Sequence, residues 1–322
     1  MSGKHDSGSG TRPGQLLALG VVLAVGVGLT FFFLASGDDN PGVAVGDTTT
    51  TVPTSSTTTT TSTLPTTTTA PTTTTTTIPI RKPGTVPGFT VGQPWGETPG
   101  ITMFRGNPTR TFYGSGDVSA EPIVEWTYPD SAMCSSSSVS GESTVWCGTG
   151  WTGQPVVWDR PDGKTEVIFG AYDRSVHFVD AETGLALRQP FATGDIIKGS
   201  VTLDPDGYPL LYFGSRDNKL RIVALDRPEP TLLWSMDASE VNGIWNNDWD
   251  SNPVIVDDIM YEGGENGWFF AILLNRGFDA DGTVVVDPEK VFQMPGYNDE
   301  LLANSGRNVS IESSVAVYEQ RA

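Results

Sequence analysis

One arrangement of apolar and polar positions occurs three times in the second half of the chain. In each copy an apolar run ends at or near a glycine, a turn rich in Asp, Asn or Arg follows, and a second apolar run begins. The copies are 169–184 (FGAYDRSVHFVDAETG), 213–226 (FGSRDNKLRIVALD) and a weaker one, 262–277 (EGGENGWFFAILLNRG). Short apolar runs joined by such turns are typical of β-hairpins, so the pattern predicts a repeated antiparallel unit.

Each copy belongs to a longer unit of four predicted strands. The first strand follows a small residue or proline, at 153–158, 198–204, 250–258 and 311–319. The fourth strand carries a large side chain, at 124–130 before the first copy and then at 185–191, 232–237 and 290–295. Four strands per unit is the arrangement of a β-propeller blade. We therefore expect an all-β protein, a β-propeller of four-stranded blades with three complete repeats and a partial fourth; a β-sandwich with coincidental hairpins is the alternative.

A glycine closes the second predicted strand of each unit, at Gly170, Gly214 and either Gly263 or Gly264. Glycine in a strand marks a close approach of another part of the chain or a backbone with positive φ. We expect one of these two conditions at each of the closing glycines.

The N-terminal part of the chain predicts a membrane anchor. Residues 16–35 form an apolar run of twenty positions without a charge, which is long enough to span a bilayer. Lys4 and Arg12 precede the run and Asp38 and Asp39 follow it, so the chain after it is expected outside the cell. We expect a cytoplasmic segment at 1–14 and a single-pass signal anchor at 15–35; a cleaved signal peptide is the alternative.

A threonine- and proline-rich segment at 36–86 separates the predicted anchor from the repeats. It has little apolar surface to offset the entropy lost on ordering, so a disordered linker is predicted. Extended, it would reach on the order of 100–150 Å, and its hydroxyl density suits O-glycosylation. The β-propeller domain is then expected at 87–322, displayed outside the cell at the membrane.

The net charge and the cysteines limit the kinds of partner and site that this chain is expected to have. The formal net charge of the chain is -19, so nucleic acid and anionic lipid are poor partners. Cys134 and Cys147 are the two cysteines, and in an oxidising compartment we expect them to form a disulfide. No metal site is expected, because a zinc site would need further thiol or histidine ligands, and the chain has only His5 and His177.

The most unusual polar loop is 242–252 (NGIWNNDWDSN), just ahead of a predicted first strand. Tryptophan faces stack on sugar or aromatic rings, and amide and carboxylate groups give directional hydrogen bonds. The loop therefore supplies the ligand-binding candidates Trp245, Asn246, Asn247, Asp248, Trp249 and Asp250. The alternative is a connection between blades whose tryptophans pack in the core and whose polar groups cap turns.

Two other polar segments do not predict sites. The segment 279–287 (DADGTVVVD) resembles a calcium loop only faintly, and a β-turn at Asp281 and Gly282 explains it better. The serines at 135–138 lie inside the expected disulfide loop without the sequence context of a nucleophile. No catalytic residue is therefore assigned.

The repeat resembles that of the pyrroloquinoline-quinone-type (PQQ-like) β-propeller family. The resemblance rests on 212–226 and 169–184, which are similar to the family pattern Y-F-G-S-x-D-x-x-L-x-A-L-D-x-x-T-G, and on the segment 104–114, which is similar to the opening of such domains. It implies a propeller in which an N-terminal segment completes the last blade. Members usually have seven or eight blades, so the resemblance also implies further blades beyond the C-terminus of this sequence.

The family resemblance implies two functions. Its enzymes are quinoprotein dehydrogenases that hold PQQ and a calcium ion, often beside a disulfide of adjacent cysteines, which Cys134 and Cys147 cannot form. Its non-catalytic members include an outer-membrane assembly scaffold. We expect a membrane-anchored, non-enzymatic binding or assembly scaffold that needs no cofactor and has a cell-envelope protein or glycan as partner. A PQQ- and calcium-dependent dehydrogenase is the alternative.

Overall fold

The computed structural model describes residues 91–322 except 113, 115, 140, 151–152 and 319–321, and the described residues belong to one compact unit, Thr72–Ala322. The predicted cytoplasmic segment, anchor and linker, 1–14, 15–35 and 36–86, lie outside the described residues. Within the described part, no helix has the length and apolar character needed to cross a bilayer.

The regular secondary structure of the described residues is almost entirely β. Before the first large sheet come β1 (Gly100–Ile101), β2 (Cys134–Val139) and β3 (Glu142–Cys147). The first unit contains β4 (Val156–Asp159), β5 (Thr165–Gly170), β6 (Ser175–Asp180) and β7 (Phe191–Ala192). The second contains β8 (Thr202–Leu203), β9 (Leu210–Gly214), β10 (Lys219–Ala224) and β11 (Thr231–Asp237). The third contains β12 (Val254–Val256), β13 (Ile259–Gly263), β14 (Trp268–Leu273), the inserted hairpin β15 (Gly277–Phe278) and β16 (Val284–Val285), and β17 (Glu289–Pro295). The helices are α1 (Asp299–Asn304) and the 3-10 helices Phe104–Gly106 and Ala238–Glu240.

The three units are antiparallel sheets of consecutive strands. Their strand orders are β4-β5-β6-β7, β8-β9-β10-β11 and β12-β13-β14-β17, and β1 adds a fifth strand beside β4. Sheets of four sequential strands, one unit after another, are the arrangement of propeller blades. The prediction of an all-β, propeller-like fold with three four-stranded repeats is thereby confirmed, and within the described residues the sheets do not close into a ring.

Two predicted strands are wrong. The segment 124–130 has no regular strand, and it contacts the first sheet through side chains: the Trp126 indole N–H donates to the Ala181 carbonyl at 3.0 Å. The segment 311–319 is likewise not a regular strand over its described residues. There the Val317 N–H donates to the Pro108 carbonyl at 2.8 Å. Both segments have the apolar alternation of a strand but are not paired along their length with a neighbouring strand.

Consecutive sheets stack face to face. Leu211 and Phe213 of β9 pack towards Ile168 of the first sheet, and the intervening Tyr212 packs towards Phe270 of the third. Alternate residues of a strand point to opposite faces, so the second sheet is buried on both sides. A β-sandwich has two sheets with one inner face each, so this three-layer stacking favours the propeller interpretation over the sandwich.

The closing glycines are where neighbouring repeats meet most closely. A Cβ added at any of the three would overlap a side chain farther along the chain, which for Gly170 and Gly214 lies in the segment that leads into the next sheet. The backbone φ is not positive at any of them. The added Cβ would lie 2.2 Å from Cγ2 of Ile197 at Gly170, 2.1 Å from Cβ of Trp249 at Gly214, and 2.4 Å from Cγ2 of Ile311 at Gly263. Of the two expected conditions, crowding is therefore the one that applies.

The turn after each closing glycine has the same geometry in all three repeats. Arg174, Asn218 and Gly267 occupy the same position in it and have φ of 67°, 70° and 80°. In each turn a backbone N–H donates to the carbonyl four residues ahead, from 171 to 175, 215 to 219 and 264 to 268, at 3.0, 3.2 and 2.9 Å. The repeat seen in the sequence is thus a repeat of backbone conformation.

The N-terminal segment crosses the first strands of all three sheets. Gly100 pairs with Trp158 of β4, and the Thr102 carbonyl accepts from the N–H of Leu203 in β8 at 2.8 Å. Farther along, the buried Arg110 donates to the Asn252 carbonyl at 3.0 Å, just before β12. The segment therefore ties the three sheets together, and its β1 adds a strand to the first of them.

The closing glycine of the second sheet gives a test of this packing. Replacing Gly214 by alanine places a methyl group inside the contact with Trp249, so we expect the free energy of unfolding to fall by about 1–3 kcal/mol. Gly277→Ala is the matched control, because that glycine also lies in a strand but has no atom within 4 Å of a built Cβ. Denaturant unfolding of the full-length protein measures both, and equal effects of the two substitutions would contradict the close contact.

Candidate functional site

The structure separates the six sequence-predicted ligand-binding residues into two groups. Trp245 is exposed, with 48% of its surface accessible, and Asn246 and Asn247 are partly exposed. The other three, Asp248, Trp249 and Asp250, are buried. The loop therefore has an outer half that can meet a ligand and an inner half that belongs to the protein interior.

Trp249 is part of the core. It is 0% exposed, and its ring lies 5.4 Å from that of Phe270 in the third sheet. Its indole N–H donates to the Asn218 carbonyl of the second sheet at 2.9 Å. With Gly214 against its Cβ, Trp249 joins the second and third sheets, and the packing alternative describes it.

The outer half of the loop lies beside two further aromatic residues. The Trp268 indole N–H and the Tyr297 hydroxyl both donate to the Asn242 carbonyl at 3.3 Å, so these side chains converge on the start of the loop. Both are half-buried. We call Trp245, Trp268 and Tyr297 the aromatic patch; neither Trp268 nor Tyr297 was predicted, because they come from β14 and the segment after β17.

A backbone hydrogen bond next to Trp245 fixes this part of the loop to the turn before Trp268. The N–H of Ile244 donates to the Asn266 carbonyl at 3.1 Å, and Asn266 stands in the turn just before Trp268. Asn266 is fully buried, and its side-chain amide donates to the Ala238 carbonyl at 2.9 Å. The loop is therefore fixed at its base, while Trp245 remains exposed.

The inner half of the loop forms a buried carboxylate cluster, defined as Asp248, Asp250 and Glu265. One oxygen of each lies within 4.8 Å of the others. Two cations lie among them: Arg216 Nε is 2.5 Å from Asp248 Oδ2, and Lys198 Nζ pairs with Asp250 and is 3.3 Å from Glu265 Oε1. All five side chains are buried.

The repeat explains why these five residues meet. Lys198 lies four residues before Thr202, which pairs with Tyr212 in the second sheet. Asp250 lies four residues before Val254, which pairs with Tyr261 in the third sheet, so the two positions are equivalent. Arg216 and Glu265 are each the second residue after a closing glycine, so they too are equivalent. The cluster is thus built at the boundary between the second and third repeats. Sequence analysis missed Lys198, Arg216 and Glu265, although their equivalent positions were visible in the repeat.

Burial dominates the electrostatics of the cluster. It raises the pKa of Asp248 to about 6, helped by the charge of Glu265 and opposed by Arg216. Burial also raises the pKa of Asp250 to about 8; Lys198 opposes this shift, and the neighbouring Glu265 adds to it. Three carboxylates face two cations, so full ionisation leaves one excess negative charge in a buried place.

The disulfide hairpin covers the cluster. Cys134 and Cys147 pair across β2 and β3 and form a disulfide, which confirms the predicted bridge. The Arg216 guanidinium lies 5.7 Å from the ring centroid of Trp146 in β3, and its Nη1 is 3.5 Å from Oγ of Ser137 in β2. The hairpin therefore contacts the cation that pairs with Asp248.

The predicted β-turn at Asp281 and Gly282 is confirmed. Gly282 has φ of 78°, and the Asp279 carboxylate accepts the N–H groups of Asp281 at 3.0 Å and Thr283 at 2.9 Å. The acidic side chain that resembled a calcium ligand in the sequence therefore stabilises the turn between β15 and β16.

The residues around the cluster do not fit a quinone. The tryptophan beside the carboxylates, Trp249, is enclosed by Gly214 and Phe270 and has no accessible ring face to stack on a cofactor. Cys134 and Cys147 form the disulfide that joins the two strands of a hairpin. We therefore derive no reaction step through PQQ.

Comparison with known proteins adds little to these observations. No protein-family model and no curated protein matches the sequence. Among solved structures the chain is similar to BamB from Moraxella catarrhalis, with 16% sequence identity over 47% of this chain and 55% of that chain, at a TM-score of 0.22. The chain thus spans about half the length of that structure. The stacked four-stranded sheets and their repeated turn define the class, an all-β protein with a propeller-like fold.

Glu262 in β13 is a buried carboxyl outside the cluster, and its pKa predicts how stability depends on pH. Burial raises its pKa from 4.5 to about 8, against the opposing effects of the Ser251 hydroxyl, which donates to it at 2.6 Å, and of Arg110. The folded protein therefore retains a proton there that the unfolded chain loses above pH 4.5. We expect this group to lower the free energy of unfolding by up to about 1 kcal/mol per pH unit as pH rises towards 8.

Glu262→Gln tests this assignment, because glutamine is neutral at every pH. Denaturant unfolding of the full-length protein at pH 5, 6, 7 and 8 should show a shallower decline for Glu262→Gln than for the wild type. Glu300→Gln, on the exposed face of α1, should decline like the wild type. Parallel declines for the wild type and Glu262→Gln would show that Glu262 is ionised in the folded protein.

Proposed function

We propose that the protein is a membrane-anchored, non-enzymatic binding scaffold at the cell envelope, and that its ligand binds the aromatic patch. The observation that carries the proposal is the exposed indole of Trp245, on a loop whose Asn242 carbonyl accepts hydrogen bonds from Trp268 and Tyr297. An aromatic residue at 48% exposure on a loop fixed by buried hydrogen bonds is a preorganised contact surface.

The composition of the patch favours a glycan over the alternative envelope protein. Aromatic side chains offer flat apolar faces with a polar edge, and the partly exposed Asn246 and Asn247 add amide donors and acceptors. These are the groups that recognise a sugar ring and its hydroxyls. The excess of acidic residues in the chain disfavours an anionic polymer.

The anchoring part of the proposal rests on the sequence. The apolar run 16–35 would hold the protein in the cytoplasmic membrane, and the linker 36–86 would carry the repeats away from the bilayer surface. A binding surface on a long flexible stalk can search the envelope around its anchor point, which suits a scaffold that holds a component in place.

The buried charges support binding rather than catalysis. The carboxylates of the cluster are engaged by Lys198 and Arg216 and covered by the disulfide hairpin. Their arrangement joins neighbouring repeats, and all five side chains are buried. The patch, by contrast, faces solvent.

Trp245→Ala tests the proposal. Retention of the full-length protein on isolated envelope glycan should weaken about tenfold, as for an aromatic residue at the centre of an interface. Phe278→Ala is the control, since that residue is also an exposed aromatic, on the β15–β16 hairpin. Retention on envelope protein but not on glycan would show that the partner is a protein. Equal retention of wild type and Trp245→Ala would show that the ligand does not bind the aromatic patch.

A further inference from the structure

The carboxylate cluster has oxygen atoms that the protein does not satisfy. Asp250 Oδ1 and Glu265 Oε2 are buried, and no N–H or hydroxyl donor of the described residues hydrogen-bonds to either oxygen. Asp250 is 4% exposed and Glu265 is 3% exposed. Buried carboxylate oxygens without a partner lose their hydration without compensation, which is rare in folded proteins.

When all three carboxyls are ionised, the site holds one more negative charge than positive charges and can accept a further positive group. Lys198 and Arg216 supply two positive charges against the three carboxylates. Arg216 is fixed on three sides, by Asp248, by the ring of Trp146 and by Ser137. Lys198 pairs with Asp250 and Glu265 through a compact ammonium group on a flexible four-carbon chain, so an incoming cation would displace Lys198 rather than Arg216.

We propose that the carboxylate cluster binds one hard divalent cation. Asp248, Asp250 and Glu265 each bring a carboxylate oxygen to within 4.8 Å of the others, close enough to share an ion. The cation takes the unpartnered oxygens of Asp250 and Glu265, and Lys198 swings aside to make room. The site is separate from the aromatic patch and does not depend on the proposed function.

The ligand type defines the class of ion. All three candidate ligands are carboxylates, and neither a thiol nor an imidazole belongs to the cluster. Calcium, magnesium and manganese prefer such oxygen ligands, whereas zinc and copper prefer sites with nitrogen or sulfur. The site is buried beneath the disulfide hairpin, so we expect slow exchange of the ion.

The position of the site gives the ion a structural role. Asp248 and Asp250 lie in the segment leading into the third sheet, and Glu265 lies in the turn between β13 and β14. Lys198 belongs to the segment leading into the second sheet. An ion bound here therefore strengthens the third repeat internally and replaces a direct ion pair across the repeat boundary.

The test is metal binding by the full-length protein after removal of metal with a chelator. Calcium, magnesium and manganese are each titrated at pH 8 while the melting temperature is followed, and bound manganese is counted by its electron paramagnetic resonance signal. At about 100 times the dissociation constant we expect a rise of about 5–10 °C. Affinity should fall as the pH is lowered from 8 to 6, because protons compete for the same carboxylates.

Four variants make the result specific. Asp250→Asn and Glu265→Gln should weaken manganese binding at least about tenfold, whereas Asp217→Asn, a carboxylate paired with Arg221 in the same turn of the second sheet, should bind as the wild type does. Lys198→Met should bind more tightly, because the competing ammonium group is gone. This last variant removes a charge without removing a ligand, so it stays informative if a carboxylate variant fails to fold.

Two results would overturn the proposal. One is a wild-type protein that binds no manganese and shows no change in melting temperature at millimolar concentrations of all three ions; the excess charge would then be met by a proton shared between Asp250 and Glu265. The other is wild-type affinity in both Asp250→Asn and Glu265→Gln, which would place any bound ion elsewhere.

Discussion

The close approach of each closing glycine to the following repeat is the contact on which the rest of the structure depends. Gly214 lies so close to Trp249 that a single added methyl group would prevent the contact, and the same arrangement recurs at Gly170 and Gly263. Because the contact fixes where the next leading segment lies, it also fixes the stacking of the next sheet. The aromatic patch and the carboxylate cluster both lie beside the Gly214 contact, so their geometry follows from it.

The repeat could be predicted from sequence because it is a repeat of backbone conformation. Glycine at the end of a strand and a positive φ four residues later leave a clear signature, as at Gly214 and Asn218. The segments 124–130 and 311–319 were assigned wrongly because apolar alternation reports which side chains are buried, not whether the backbone is paired. Trp126 shows the difference, since it reaches the first sheet through its indole alone.

The candidate site was predictable only in part. The loop 242–252 stood out by composition, but composition cannot tell that Trp245 is exposed while Trp249, four residues on, fills the core. The partners of the buried aspartates were missed for a different reason. Lys198 lies fifty-two residues from Asp250 in the sequence, and only the stacking of two sheets brings them together. Aligning the repeats by their closing glycines would have shown this pairing.

The ion pair between Lys198 and Asp250 also constrains how the gene for this protein can change. The two residues occupy the same position in successive repeats and carry opposite charges. A tandem duplication of the second repeat would set two lysines against each other in a buried place, and a duplication of the third would do the same with two aspartates. Such a copy would be disfavoured even though its strands and glycines were intact. The order of the second and third repeats is therefore constrained by charge, and recombination between them is restricted to events that keep the two charges opposite.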